Sequence, residues 1–405
     1  MTKLDQTPSL LRNDYQQPAV THIRPLVQDL PTENIAELAV RAQQLTGVIP
    51  LWYGEGDLVT PEFIREAAKS ALDDGMTFYI PNMRGAPGLS QALSNYQTEL
   101  HGVPIAVDRS TVTPGGMQAL LLALNVIVDL GQNVVYVEPQ WPNIHNLIHL
   151  AGGEPRPVPL TLVDGDWTLD MEAIKAACDQ RTRAIVFSTP ANPTGWVATR
   201  ENFEALLAFG RERGIWIISD EVYNRLYFDG RSAPSILQFA EPEDLVLTVN
   251  SFSKAWAMTG WRVGWLTHPA SVAGEVAAMT QYMNSGTAGF VQAGALAAIE
   301  QGEGLALQMR DRCRHGIDLA YEKLSQVPQI VLPNKPKGGM YVFFSLANEP
   351  DSRVACRKIL DEARVGLAPG FMFGKASRGF LRMCICRDPA QLETALDRMV
   401  ESFRT

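Results

Sequence analysis

AIVFSTPANPTGWVATRENFEALLAFGRERGIWIISDEVY, residues 184–223, decides the fold. It opens on a short apolar run, AIVFSTP (184–190), and closes on another, IWIISDE (215–221). Between them NFEALLAFGRERG (202–214) carries apolar residues at helical spacing. Two short runs joined through a helix read as parallel strands, because parallel neighbours need a crossover connection.

The alternation continues in both directions. NVVYVEP (133–139) lies before this stretch, and LVLTVNSF (245–252) and VGWLTHP (263–269) follow it. The expected fold is α/β, with a large domain whose mostly parallel sheet is flanked by helices. After about residue 300 the pattern changes to a long charged helix, LALQMRDRCRHGIDLAYEKLSQ, and then to short strands, GGMYVFFSL and GFLRMCICR. These read as a smaller α+β domain built from both chain ends. The expected division is an arm and the first part of the small domain over 1–50, a large domain over 51–300 and a small C-terminal domain over 301–405. The first 30 residues are arm-like, with little periodicity.

Composition narrows the function. Hydrophobic residues make up 46% and charged residues 20% of the 405, as in soluble globular proteins. A net charge of −9 argues against a nucleic-acid partner. MTKLDQTPSLLRNDYQQP has no apolar core of signal-peptide length, and ALLLALNVIV (119–128) is too short to span a bilayer. The expectation is a soluble, cytoplasmic protein without a membrane partner. Five cysteines, odd in number and without a CxxC spacing, fit a reducing compartment. Cys384 and Cys386 alternate along an expected strand, as packing residues do. His145 and His149 are four apart on an expected helix, but no acidic or cysteine ligand is near, so no metal site is expected.

In an open α/β sheet, ligands sit outside the carboxyl ends of the strands. AIVFSTP runs into Asn192, IWIIS ends in Asp220 with Tyr223 close behind, and LVLTVN ends in Ser251, Ser253 and Lys254. TVTPGGMQALLLAL sets Gly115 and Gly116 before a helix, where free N–H groups favour phosphate. Arg262 lies in the same stretch as the lysine, SFSKAWAMTGWRVGW (251–265). Singly, each has an ordinary reading: a turn at Asn192, a helix N-cap at Asp220, core packing for Tyr223, a common strand–helix turn at Gly-Gly. Jointly they do not, because an aspartate ending so apolar a strand needs a partner. A lysine able to form a Schiff base, an aspartate for a ring nitrogen and a phosphate cup describe pyridoxal 5′-phosphate (PLP). Lys254 then bonds the cofactor aldehyde, and Arg262 helps hold its phosphate.

With NPTG, SDEVY and SFSKAWAMTGWRVGW in this order and spacing, the chain resembles the fold-type I PLP-dependent aminotransferases, the aspartate aminotransferase superfamily of class I/II. The resemblance runs from about residue 30 to the end. It implies that Lys254 is the Schiff-base lysine and the base of a 1,3-proton transfer, and that Asp220 partners the pyridine nitrogen. Asn192 and Tyr223 would contact the ring hydroxyl. Gly115, Gly116, Met117, Ser251, Ser253 and Arg262 would surround the phosphate. Trp141 in EPQWPNI matches the aromatic stacked on the ring, with a core tryptophan as the alternative. Tyr79 in TFYIPNMRG matches the tyrosine reaching the neighbouring subunit's phosphate, which implies a homodimer with active sites at the interface.

Strand alternation buries Arg382 of FLRMCICR, and a buried arginine demands an anion. It matches the family's arginine for the substrate α-carboxylate. Arg387 competes for that role, although RDP reads as an exposed turn. Asn192 and Gly54, the latter in WYGEGD, would also lie beside substrate. The implied function is transamination of an L-amino acid with a 2-oxo acid. Some relatives acting on dicarboxylates carry a lysine where Met117 stands, and others an arginine within the segment that here reads MTQYMNSGTAGF. A neutral or aromatic donor is therefore expected, with Arg84 able to supply a carboxylate contact from the partner chain. The alternative on the same fold is a PLP lyase or synthase acting at Cβ or Cγ. A nicotinamide oxidoreductase would need a GxGxxG, and a PLP-sensing regulator a basic DNA-binding helix; neither is present.

Overall fold

The structure, a computed structural model, describes residues 23–28, 30–31 and 35–404. Most of the expected N-terminal arm therefore lies outside the described residues; within it, Pro25–Gln28 forms one short helical turn.

Seven strands form the large sheet: β1 (Ser110–Thr113), β2 (Asn133–Glu138), β3 (Glu154–Pro159), β4 (Thr182–Ser188), β5 (Trp216–Asp220), β6 (Val246–Ser251) and β7 (Gly264–Thr267). Their order is β1-β7-β6-β5-β4-β2-β3. The five strands from β6 to β3 are parallel neighbours, and β7 runs antiparallel to both β6 and β1. Every apolar run identified in the sequence of this region is a strand. Two strands escaped that reading: β1, whose STVT has hydroxyl residues at three of four positions, and β3, whose EPRPVP holds three prolines. β3 lies at the sheet edge, where proline is tolerated because a missing N–H need not break a ladder.

Helix α1 (Gly116–Ile127) covers one face of this sheet and α2 (Arg200–Arg213) the other. The period-2 pattern explains why both faces are apolar. Val134, Ala184, Val186 and Ile218 pack with α1, whereas Val135, Ile185, Phe187 and Ile217 pack with Phe203 and Leu206 of α2. Reciprocal hydrogen bonds between Thr199 and Asn202 start α2, and Gly214 in the left-handed region ends it.

A second, antiparallel sheet holds β8 (Ile330–Val331), β9 (Tyr341–Leu346), β10 (Ala368–Pro369) and β11 (Phe380–Cys384) in the order β8-β9-β11-β10. Helices α3 (Glu303–Leu324), α4 (Ser352–Ala363) and α5 (Pro389–Ser402) bury apolar residues in the same core. Ile49–Pro50 pairs in parallel with Val365–Gly366, which brings the early chain to this C-terminal part. Cys384 closes β11, so Cys386 lies just past the strand rather than on it; both are buried. Among the described residues no helix is long and apolar enough to cross a membrane.

Candidate active site

Strand register builds the floor of the site. Ser188 and Asp220 are opposite residues at the carboxyl ends of β4 and β5, and Ser251 ends the adjacent β6. The chain leaves these ends in loops carrying Asn192, Tyr223 and Lys254. A cavity of about 530 Å³ lies over them. Its lining includes every predicted site residue except Gly115 and Tyr79.

Asp220 is 5% exposed and has two weak donors, Ser188 Oγ and the Val222 N–H, each at 3.3 Å. Burial pushes its pKa up to about 6, while these donors and the nearby Lys254 pull it down. The residues after it run through turns, so Asp220 caps a turn and not the helix that its sequence position allowed. Lys254 points its Nζ at the Gly54 carbonyl, 2.6 Å away, and desolvation lowers its pKa. Tyr223 is buried, its hydroxyl 2.8 Å from that of Tyr341, and burial holds its pKa well above the usual phenol value.

The polar cup is built around Gly115. Its φ of +87° favours glycine, and a Cβ there would fall 2.5 Å from Nη2 of Arg262. Arg262 Nη1 donates to the Thr259 carbonyl at 2.8 Å and lies 3.5 Å from Ser253 Oγ. The Ser251 hydroxyl donates to Ser253 at 2.9 Å. Gly116 and Met117 open α1 beside these groups, with Trp141 on the wall.

Arg382 sits on β11 between Phe343 and Ala368 of its neighbouring strands. Its guanidinium lies between the rings of Tyr341, at 4.4 Å, and Phe373, at 4.8 Å. Nη1 donates to Asn192 Oδ1 at 3.0 Å and Nη2 to the Trp52 carbonyl, while the buried Nε has no hydrogen-bond partner among the described residues. Arg387 differs from its sequence reading. It is half-buried and donates to the Pro50 carbonyl at 3.1 Å, although Asp388 and Pro389 of the same turn are exposed as expected, and it does not line the cavity.

Tyr79 is 84% exposed, beside Phe78 at 85%. Arg84 Nη1 donates to the Asp108 carbonyl at 2.8 Å. His145 Nδ1 hydrogen-bonds the Tyr136 hydroxyl, and no cluster able to hold a metal occurs among the described residues. Sequence reasoning missed Ser188, whose signal was the polar end of AIVFS. It also missed Tyr341 and Phe373, which are hidden in apolar runs.

The pattern of the family Aminotransferase class I and II matches residues 47–399. The aromatic-amino-acid aminotransferase 2 of Thermococcus litoralis is 33% identical over 376 residues, covering 91% of this chain and 95% of that protein. The aspartate aminotransferase of Pyrococcus horikoshii is 31% identical over 373 residues, covering 91% and 94%. The crystal structure of aspartate aminotransferase from Thermotoga maritima superposes with a TM-score of 0.87 at 30% identity, covering 95% of this chain and all of that one. The chain belongs to the class I and II aminotransferases. Its chemistry is amino-group transfer, and these relatives do not favour the elimination or replacement alternative.

Proposed function

We propose that the cavity holds PLP and transfers the amino group of a neutral or aromatic L-amino acid to a 2-oxo acid. The observation that carries this is a primary amine and a buried carboxylate with only weak donors, Lys254 and Asp220, facing one cavity. The residues present fit the cofactor. Asp220 is desolvated with only weak donors, which a cationic ring nitrogen would complete. The N–H groups of Gly116 and Met117 at the start of α1, with Ser251, Ser253 and Arg262, offer hydrogen-bond donors for a phosphate. Asn192 and Tyr223 are assigned to the ring oxygen, and Trp141 to the ring face. When bound, the group supplies an aldehyde that takes up amines and a ring that draws electrons from the substrate Cα.

The chain's own residues do the rest. Desolvation lets Lys254 reach its neutral, nucleophilic form at a lower pH than a solvated lysine. Its free Nζ would take the proton from the substrate Cα. Asp220, once opposite a cation, stays ionised. Arg382 is assigned to the substrate carboxylate, supported by its orphaned Nε and by Asn192, which holds Nη1 in place. Gly54 lies beside the substrate.

The donor preference is supported by charge. Among the described residues, the cations lining the cavity are Lys254, Arg262 and Arg382, all assigned, and the remaining acid, Glu55, would repel a second carboxylate. A homodimer with Tyr79 acting across the interface is supported by the exposed aromatics Phe78, Tyr79 and Tyr282. The large domain over 51–300 and the smaller one from the chain ends belong to the same reading, supported by the pairing of Ile49–Pro50 with Val365–Gly366. A cytoplasmic location is supported by five free cysteines. The test is a half-reaction screen that follows bleaching of the bound aldehyde. Aromatic and neutral amino acids should bleach it faster than aspartate, and the reverse order would contradict the donor preference.

A further inference from the structure

Tyr341 sits in the apolar run of β9, yet its hydroxyl is a junction at the cavity wall. Its Oη is 2.8 Å from that of Tyr223. A Cβ built on Gly54 would fall 2.1 Å from the same oxygen, so the Gly54 backbone is pressed against it. The Gly54 carbonyl in turn accepts the Lys254 hydrogen bond. The ring face of Tyr341 carries the Arg382 guanidinium. Phenylalanine would pack as well in such a run and would bury no polar atom. The hydroxyl is therefore the feature that needs a reason.

We propose that Tyr341 is a positioning residue, which donates its hydrogen bond to Tyr223 and so strengthens the bond that Tyr223 gives to the ring oxygen of the cofactor. This rests on the role assigned to Tyr223 above. Each phenol has one proton and two lone pairs. When Tyr223 gives its proton to an anionic ring oxygen, its own oxygen can still accept, and Tyr341 is placed to fill that position. Donors arranged in series polarise one another, strengthening each bond by roughly 10–30%. Burial supports the arrangement by keeping both phenols protonated at neutral pH, with Tyr341 pushed up to about 12 and Tyr223 well above 10. Around them Arg382 lowers both values, Cys384 and Cys313 raise that of Tyr341, and Asp220 raises that of Tyr223.

The pH midpoint of the bound cofactor's absorption change, read on the PLP-loaded enzyme, tests this. Weaker donation leaves more charge on the ring oxygen, which holds the neighbouring proton more tightly and raises the midpoint. Tyr341→Phe should raise it by about 0.5–1 unit. Tyr341→3-fluorotyrosine keeps the shape, has a more acidic phenol and should lower it. In a Tyr223→Phe background, Tyr341→Phe should move it no further. Unmoved midpoints in both single variants overturn the proposal and leave Tyr341 a packing residue, as does a shift that persists without the Tyr223 hydroxyl. A wild-type enzyme with no Lys254-dependent absorption band overturns the proposed function and this inference with it, so the two failures are distinct.

Discussion

Ser188 and Asp220 stand opposite each other on adjacent parallel strands, and the serine hydroxyl donates to the carboxylate over 3.3 Å. That bond lowers a pKa which burial has raised to about 6 from an ordinary 3.8. Because the folded value lies above the unfolded one, the folded apoprotein binds the proton more tightly. The resulting stability is fully present below about pH 4 and is lost as pH rises through about 6. Asp220→Asn should remove this loss, stabilising the apoprotein at pH 8 by on the order of 2–3 kcal/mol while weakening PLP binding. Ser188→Ala should extend the loss to higher pH. Thermal melts of the apoproteins across pH 3–8 check this, and an Asp220→Asn variant as pH-sensitive as wild type over pH 4–6 would contradict it. Glu221, with a pKa raised to about 7 by burial, supplies a slope common to both proteins.

Gly115→Ala places a methyl group 2.5 Å from Arg262 Nη2 at a φ of +87°. Arg262 must then move, and the phosphate cup with it. PLP affinity should fall by about tenfold or more, for a strain of 1–3 kcal/mol. Equilibrium dialysis measures it, and unchanged affinity would remove Gly115 from the cup.

Arg382→Lys keeps the charge but loses the planar fork that reaches Asn192 and the Trp52 carbonyl. The spectrum of bound PLP should persist, whereas kcat/KM for amino acid and 2-oxo acid should fall by about 30-fold or more. A fall for only one of the two substrates would mean that Arg382 does not bind their shared carboxylate.

The fold was largely readable because apolar period and strand length survive in any one sequence. What escaped had a physical reason. The prolines of EPRPVP disguise an edge strand, and STVT has too few apolar residues to stand out. Lys254, Asp220 and Asn192 drew notice as polar groups ending apolar runs, and the fold brings them to one cavity. Tyr341 and Phe373 gave no such signal, since only tertiary packing turns an aromatic in a buried run toward a site. Arg387 is half-buried within an otherwise exposed turn, because a turn motif says nothing of where a long side chain folds back.

If Tyr79 acts across a homodimer interface, each site needs two chains. Lys254→Ala and Tyr79→Ala subunits, refolded together, should then regain activity that neither has alone, because one site in the hybrid is intact. Failure to regain activity while the hybrid forms would place Tyr79 outside the neighbouring site.

The most direct measurement is chemical. Borohydride reduction of the PLP-loaded protein, followed by peptide mass spectrometry, should place a single pyridoxyl group on Lys254 and none on the Lys254→Ala variant. An adduct on a different lysine, or full PLP uptake with no adduct at all, would contradict the account.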